Sequence, residues 1–138
     1  MSTPGSAPLI LECDELCTFV GRHDRPLWLW LAMDRASRRI VGCFVGQRDA
    51  LGAFGLWQSL LTPYLDAVCH TDGLSLYRGV VFGALHRIGG TQHMERFNAT
   101  LRLRLAHLVR KSLSFCRKQA NLETLLWLFI HRYNASLP

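Results

Sequence analysis

The chain has 138 residues, 49% of them apolar, and its 16 basic and 10 acidic side chains give a formal net charge of +6. This length suits one domain with a single hydrophobic core, and the apolar share excludes a disordered chain. No apolar run reaches the roughly 18 residues of a membrane span, so we expect a cytoplasmic protein with no membrane partner. We place a flexible N-terminus at residues 1–8 and one domain at residues 9–138.

The first third of the chain predicts an antiparallel meander of three strands joined by short polar turns. The predicted strands cover residues 9–17, 27–34 and 39–46. Period-two alternation in the first strand gives each face its own set of side chains. One face carries Ile10, Glu12 and Asp14, and the other carries Leu9, Leu11, Cys13 and Glu15.

The rest of the chain predicts mainly helices. The elements are a helix over residues 50–62 that Pro63 ends, a strand over 66–71, a short helix over 74–81, a strand over 84–88, a long helix introduced by Thr91, a basic loop over 112–121 and a helix over 122–133. Strands in two groups, with helices between and after them, favour an α/β architecture. We therefore predict a mixed sheet, with the three-strand meander and further strands, flanked by helices.

The positive charge is confined to one part of the chain. Residues 1–95 hold 8 Arg and 9 acids, whereas residues 96–122 hold seven basic side chains and no acid. A solvated helix face usually mixes both signs, so this window indicates an anionic partner, of which nucleic acid is the leading candidate. Arg outnumbers Lys 14 to 2 in the whole chain, which suits bidentate contact with phosphate.

Three acids stand out by their placement. Asp14 lies within an apolar strand, Asp72 follows a buried strand, and Glu95 lies on the first turn of the long helix. Their convergence at one sheet edge would create a site for Mg²⁺ or Mn²⁺. Each also has a purely structural interpretation. Asp14 could pair with an Arg, Asp72 could be a turn residue, and Glu95 could lie at the positive end of a helix dipole. For His93 the sequence leaves two interpretations open: a residue that binds substrate phosphate, and a plain surface or helix-capping histidine.

Four sequence blocks carry a resemblance to a known family. In chain order they are Cys13-Asp14-Glu15-Leu16 with Phe19-Val20-Gly21; Leu29-Trp30-Leu31 to Asp34 with Ile40-Val41-Gly42; Thr71-Asp72-Gly73 with Tyr77; and Met94-Glu95-Arg96-Phe97-Asn98 with Leu101-Arg102, Leu105, Arg110-Lys111-Ser112 and Ser114-Phe115. Each block alone is weak, but their order is specific. The chain resembles the catalytic part of bacterial transposases of the insertion-sequence-one type.

This resemblance implies an RNase H-like fold with a DDE active site. Asp14, Asp72 and Glu95 would be the catalytic residues and would hold two Mg²⁺ (or Mn²⁺) ions. Because Glu15 follows Asp14 directly, either could be the first ligand; we expect only one to serve, since they lie on opposite strand faces. The residues expected to contact DNA are Arg96, Asn98, Arg102, Arg104, Arg110 and Lys111.

Such enzymes hydrolyse the 3′ ends of the element and join them to target DNA by transesterification. The implied partners are transposon-end and target DNA, further copies of the chain, and an N-terminal zinc-finger and helix-turn-helix region that is fused or separately encoded. The implied location is the bacterial cytoplasm, at the nucleoid. The alternatives are a catalytically inactive DNA-binding or regulatory remnant of a transposase and a general RNase H-like nuclease.

Overall fold

The computed structural model describes residues 9–19, 26–73, 75–81, 85–111 and 119–138. The predicted flexible N-terminus at residues 1–8 and most of the predicted basic loop lie outside these ranges. The elements are β1 (Ile10–Phe19), β2 (Pro26–Asp34), β3 (Ile40–Gly46), α1 (Ala50–Ser59), β4 (Val68–Thr71), β5 (His86–Ile88), α2 (Gln92–Lys111) and α3 (Gln119–Ser136), with short 3-10 helices at Thr62–Asp66 and Ser75–Gly79.

The described strands form one five-stranded sheet in the order β3-β2-β1-β4-β5. The first three strands pair antiparallel, which confirms the predicted meander, whereas β4 and β5 are added in parallel beside β1. A parallel strand needs a crossover connection, and α1 with the first 3-10 helix supplies it between β3 and β4. The α/β class and the mixed sheet are therefore confirmed, in agreement with the RNase H-like fold that the resemblance implies.

Helices cover both faces of the sheet. On one face, Leu29 and Leu31 pack with Phe97 of α2 and Leu126 of α3. On the other face, Trp30 packs with residues of α1 and the second 3-10 helix. Because β2 is buried on both faces, it reads as a nearly continuous apolar run rather than as an alternating one.

Some boundaries differ from the sequence prediction. Helix α1 ends at Ser59, before Pro63, because Leu60 is already extended and the Ser59 hydroxyl accepts a hydrogen bond from the Cys43 amide of β3. Helix α3 begins at Gln119, within the predicted loop, and a Gln119–Glu123 side-chain hydrogen bond supports its first turn. Among the described residues, no helix is long and apolar enough to cross a membrane.

The pairing of β1 with β4 creates the edge at which the candidate site lies. Their last paired residues are Glu12 and His70, but β1 continues to Phe19. Beyond that pair, Asp14 on β1 faces the chain that leaves β4 at Asp72. A crevice at the carboxyl ends of parallel strands is the usual position of ligand sites in open α/β sheets.

Candidate metal centre

Three carboxylates meet at this edge of the sheet. One oxygen atom from each of Asp14, Glu15 and Asp72 lies within 4.8 Å of the other two. Asp14 and Glu15 come from β1, and Asp72 from the residue directly after β4. Carboxylate oxygens are hard donors of the kind that Mg²⁺ and Mn²⁺ prefer. The structure therefore brings together Asp14 and Asp72, two of the three acids that the sequence singled out.

Glu15 is a member of this cluster, which the strand alternation argued against. It does lie on the opposite face of β1 from Asp14, as predicted. However, β4 has ended at Thr71, so no strand separates the two faces on that side of β1, although β2 still pairs with both residues on the other side. Both carboxylates can then reach the side of Asp72. The expectation that only one of Asp14 and Glu15 could serve at this site does not follow from their geometry.

Asp14 is half-buried and accepts two hydrogen bonds. The Asn98 Nδ2 atom donates to its Oδ2 over 2.9 Å, and the Glu15 amide donates to its Oδ1 over 2.9 Å. Burial, and then the charges of Asp72 and Glu95, nevertheless raise the pKa of Asp14 above its usual value. A bound cation would offset both causes, because its positive charge favours the ionised form of Asp14.

Glu15 is buried and is held by two residues that sequence reasoning did not assign to the site. The Tyr77 hydroxyl donates to its Oε2 over 2.7 Å, and Arg48 lies 3.3 Å from its Oε1. Burial, followed by the charges of Asp72 and Asp14, raises the pKa of Glu15. Tyr77 appeared in the sequence only as a member of one resemblance block, and a contact 62 residues apart has no local signal.

Glu95 lies on the first turn of α2, as predicted, but it is not one of the three clustered carboxylates. Its side chain is exposed and accepts a hydrogen bond from the Thr91 hydroxyl over 3.1 Å. Its charge still acts on Asp14, because it is one of the causes of the raised Asp14 pKa. Glu95 therefore lies near enough to the cluster to affect the charge of Asp14, but its carboxylate is not one of the three that are grouped together.

Asn98 bonds to Asp14 through its side-chain nitrogen and has a buried side-chain oxygen. The residue is 5% exposed, and its Oδ1 has no hydrogen-bond partner among the described residues. An orphaned buried amide oxygen is costly, and a ligand that offers a proton or a positive charge would satisfy it. The three carboxylates next to Asn98 are oxygen donors that by themselves fit a divalent cation.

Glu12 is the buried carboxylate nearest to the cluster in sequence, and it binds the start of α2. It accepts hydrogen bonds from the backbone amides of His93 and Met94, from the His93 ring and from Arg35. Burial opposes its ionisation, but these bonds prevail and lower the pKa of Glu12. His93, left open by the sequence, is thus a partner of Glu12 rather than a simple surface residue.

The basic residues of α2 divide between two sides of the helix. Arg102 continues the face that carries Glu95 and Asn98, at steps of three and four residues. Arg96 lines a cavity of about 300 Å³ with Arg38 and His93. The neighbouring groove of about 540 Å³ between α2 and α3 is lined by Thr100, Arg104, Leu125, Leu128, Phe129, Arg132, Tyr133 and Ser136. Arg110 and Lys111 end α2, and their side chains lie outside the described part of the structure.

The sequence is similar to a known protein family and to several of its members. The sequence model of a family described as IS1 transposase matches residues 8–134. Three proteins of Escherichia coli strain K12, named Insertion element IS1 4, 2 and 3 protein InsB, are each 40% identical over 117 residues. Each alignment covers 83% of this chain and 70% of the relative.

Proposed function

The chain belongs to the IS1 transposase family, and from this premise we propose that it is the catalytic domain of a transposase that cuts the DNA ends of an insertion element and joins them to target DNA. The observation that carries the proposal is the carboxylate cluster, with the Asn98 side chain bonded to one of its members, Asp14. Phosphoryl transfer on DNA needs such a concentration of oxygen ligands next to groups that bind phosphate.

In this proposal, Asp14, Asp72 and Glu95 hold two Mg²⁺ or Mn²⁺ ions. When bound, such ions activate an attacking hydroxyl and stabilise the leaving oxygen of a phosphodiester. Glu15 lies near enough to contribute a fourth carboxylate, with Tyr77 and Arg48 fixing its orientation. Asn98 keeps Asp14 in place by donating a hydrogen bond from its side-chain amide.

The basic side chains of α2 would position the DNA. Arg102 lies two helical turns after Glu95 on the same face, so it is placed to bind phosphates next to the reacting one. Arg96 and Arg104, on the side of α3, would contact phosphates further along the backbone, as would Arg110 and Lys111 at the end of α2. The planar guanidinium suits this role because it binds two phosphate oxygens at once.

The proposed reaction has two steps of the same type. In the first, water attacks a phosphorus atom at the element's end, the bond from phosphorus to the 3′ oxygen breaks, and that oxygen leaves as a hydroxyl. In the second, this 3′ hydroxyl attacks a target phosphodiester, and the target's own 3′ oxygen leaves with the proton. Pairing two element ends also calls for at least two copies of the chain and for the zinc-finger and helix-turn-helix region that recognises them.

One observation favours a second candidate, a catalytically silent DNA-binding protein. Glu95 is bonded to Thr91 and lies outside the group of three clustered carboxylates. If this arrangement persists in the presence of metal, the third ligand of the DDE set is missing. Such a protein would bind DNA through α2 without cutting it.

Metal binding and strand transfer separate these candidates. We expect Mn²⁺ to raise the unfolding temperature of the wild-type chain, because ligands that bind only the native state stabilise it. We expect D72N to lose this rise and, in the fusion with the end-recognition region, to lose strand transfer. D66N is the matched control, since Asp66 is an exposed acid outside the cluster. DNA binding without any response to Mn²⁺ would favour the silent protein, and cleavage without joining would favour a general nuclease.

A further inference from the structure

Glu12 is a fully buried carboxylate in the middle of β1, with 0% of its surface exposed. It accepts four hydrogen bonds. The His93 and Met94 amides donate to its Oε1 over 2.9 and 3.1 Å, and the His93 Nδ1 and Arg35 Nε atoms donate to its Oε2 over 2.7 and 3.0 Å. An ionised carboxylate has about four lone-pair sites, so these bonds use its whole acceptor capacity.

Two of these donors belong to the first turn of α2. Amides in the first turn of a helix have no partner within the helix, and the positive end of the helix dipole lies there. Glu12 satisfies both amides from a neighbouring strand and places its negative charge at that end. The start of α2 is therefore attached to β1 through one side chain.

The catalytic residues proposed on α2 follow this attachment directly. Glu95 comes one residue after Met94, and Asn98 comes one helical turn later. Glu12 itself lies two residues before Asp14 on the same face of β1. The bonds from Glu12 to α2 and from Asn98 to Asp14 are thus two successive connections between the same strand and the same helix.

We propose that Glu12 is a positioning residue of the metal centre: it holds α2 against β1 so that Glu95 and Asn98 face Asp14. Its four bonds leave no oxygen lone pair for a metal ion, and its burial keeps it from DNA, so its effect on the metal centre comes through its bonds to α2 rather than through contact with metal or DNA. This inference rests on the proposed function, since it assigns Glu12 a role in that same site.

Asp34 offers a matched control on the neighbouring strand β2. It is also a buried carboxylate, and it also accepts hydrogen bonds from a side chain and a backbone amide, those of Tyr64 and Ala36. These partners lie in the first 3-10 helix and in the turn after β2, not in α2. Loss of the Asp34 charge should therefore lower stability without moving the metal centre.

The test measures Mn²⁺ affinity by titration and electron paramagnetic resonance for wild type, E12A, E12Q and D34N. All variants are compared at a temperature where circular dichroism shows them folded. Substitution of residues that orient metal ligands typically weakens metal binding about 10–100-fold, and we expect a loss in this range for E12A. We expect E12Q to lose about tenfold, because it keeps an acceptor for the two amides but lacks the charge. D34N should bind as the wild type does.

Cleavage kinetics give a second readout in the fusion with the end-recognition region. We expect E12Q to lower kcat while the KM for DNA stays at the wild-type value, because Glu12 touches no DNA. If E12A does not fold, the result for E12Q decides the question. An E12Q variant with the same Mn²⁺ affinity and kcat as D34N would overturn the positioning role. Failure of the wild type to bind Mn²⁺ would instead overturn the proposed function and leave Glu12 as a structural residue.

Discussion

The side-chain amide of Asn98 donates a 2.9 Å hydrogen bond from Nδ2 to Oδ2 of Asp14, and this bond joins α2 to β1 at the carboxylate cluster. It also fixes which end of the amide faces Asp14. The Oδ1 atom is left buried without a partner among the described residues. A bound cation, a water molecule or another hydrogen-bond donor would satisfy this oxygen.

Replacement of Asn98 by Asp tests the contact between Asn98 and Asp14. N98D puts a second carboxylate beside Asp14, so we expect the metal-free protein to lose about 1–3 kcal/mol of stability. We also expect a larger rise in unfolding temperature with Mn²⁺ than the wild type shows, because the cation relieves the added repulsion. Scanning calorimetry with and without Mn²⁺ checks both effects. A metal-free N98D as stable as wild type would contradict the geometry.

Tyr77 should contribute to stability through Glu15. Y77F leaves the ring in place but removes the hydroxyl that donates to a buried carboxylate, and we expect a loss of about 1–3 kcal/mol in urea unfolding. Y64F is the matched control: the Tyr64 hydroxyl also donates to a carboxylate, that of Asp34, but the residue is more exposed. Its loss should be smaller. Equal losses in Y77F and Y64F would mean that burial does not increase the contribution of the Tyr77–Glu15 hydrogen bond to the free energy of unfolding.

The raised pKa values of Asp14 and Glu15 predict an unusual pH dependence. A carboxyl whose pKa is higher in the folded than in the unfolded state makes the metal-free protein less stable as pH rises through that range. D72N removes a charge that contributes to both shifts. We therefore expect D72N to be more stable than wild type at pH 7 in EDTA.

The difference between D72N and wild type should close as pH falls and the carboxylates take up protons. Chemical unfolding between pH 4 and 7 measures this difference, about the range over which carboxyl groups with raised pKa values titrate. A D72N variant less stable than wild type at pH 7 would show that Asp72 acts through its other contacts rather than through repulsion.

Gly52 in α1 should not tolerate a side chain. A Cβ atom there would lie 2.2 Å from the Gln47 carbonyl oxygen and 2.5 Å from Nε1 of Trp30, which bond to each other. We expect G52A to lose about 1–3 kcal/mol, because backbone and a buried ring must both move. G79A is the control, since nothing lies within 4 Å of a Cβ at Gly79. Urea unfolding of the two variants should separate them clearly.

Arg104 should contribute to DNA affinity in a manner that depends on salt. Each phosphate contact lowers log K by about 0.9 for each unit of log salt concentration on duplex DNA. We expect R104A to reduce the slope by about 1, and R132A, in the same groove, to do likewise. R78A is the control, because Arg78 lies in the second 3-10 helix, outside this groove. An unchanged slope in R104A and R132A would exclude the groove from DNA binding.

Much of this architecture follows from patterns along the chain. Alternation placed Glu12 and Asp14 on one face of β1, and the buried residues Phe97, Leu101 and Leu105 of α2 follow one another at steps of four, as one side of a helix requires. Both are local properties, since a strand repeats every two residues and a helix every 3.6. The apolar character of the first strand also made Asp14 stand out, because a charge within an apolar strand is costly without a partner.

The partners of those acids were decided by the tertiary structure alone. Alternation separated Glu15 from Asp14, yet the end of β4 brings both to Asp72. Nothing near Glu12 in the sequence indicates that it binds His93, because the two residues are 81 positions apart and meet only when α2 docks on the sheet. Local periodicity determines which side of an element a residue faces, whereas the pairing of distant strands and helices determines what it meets there.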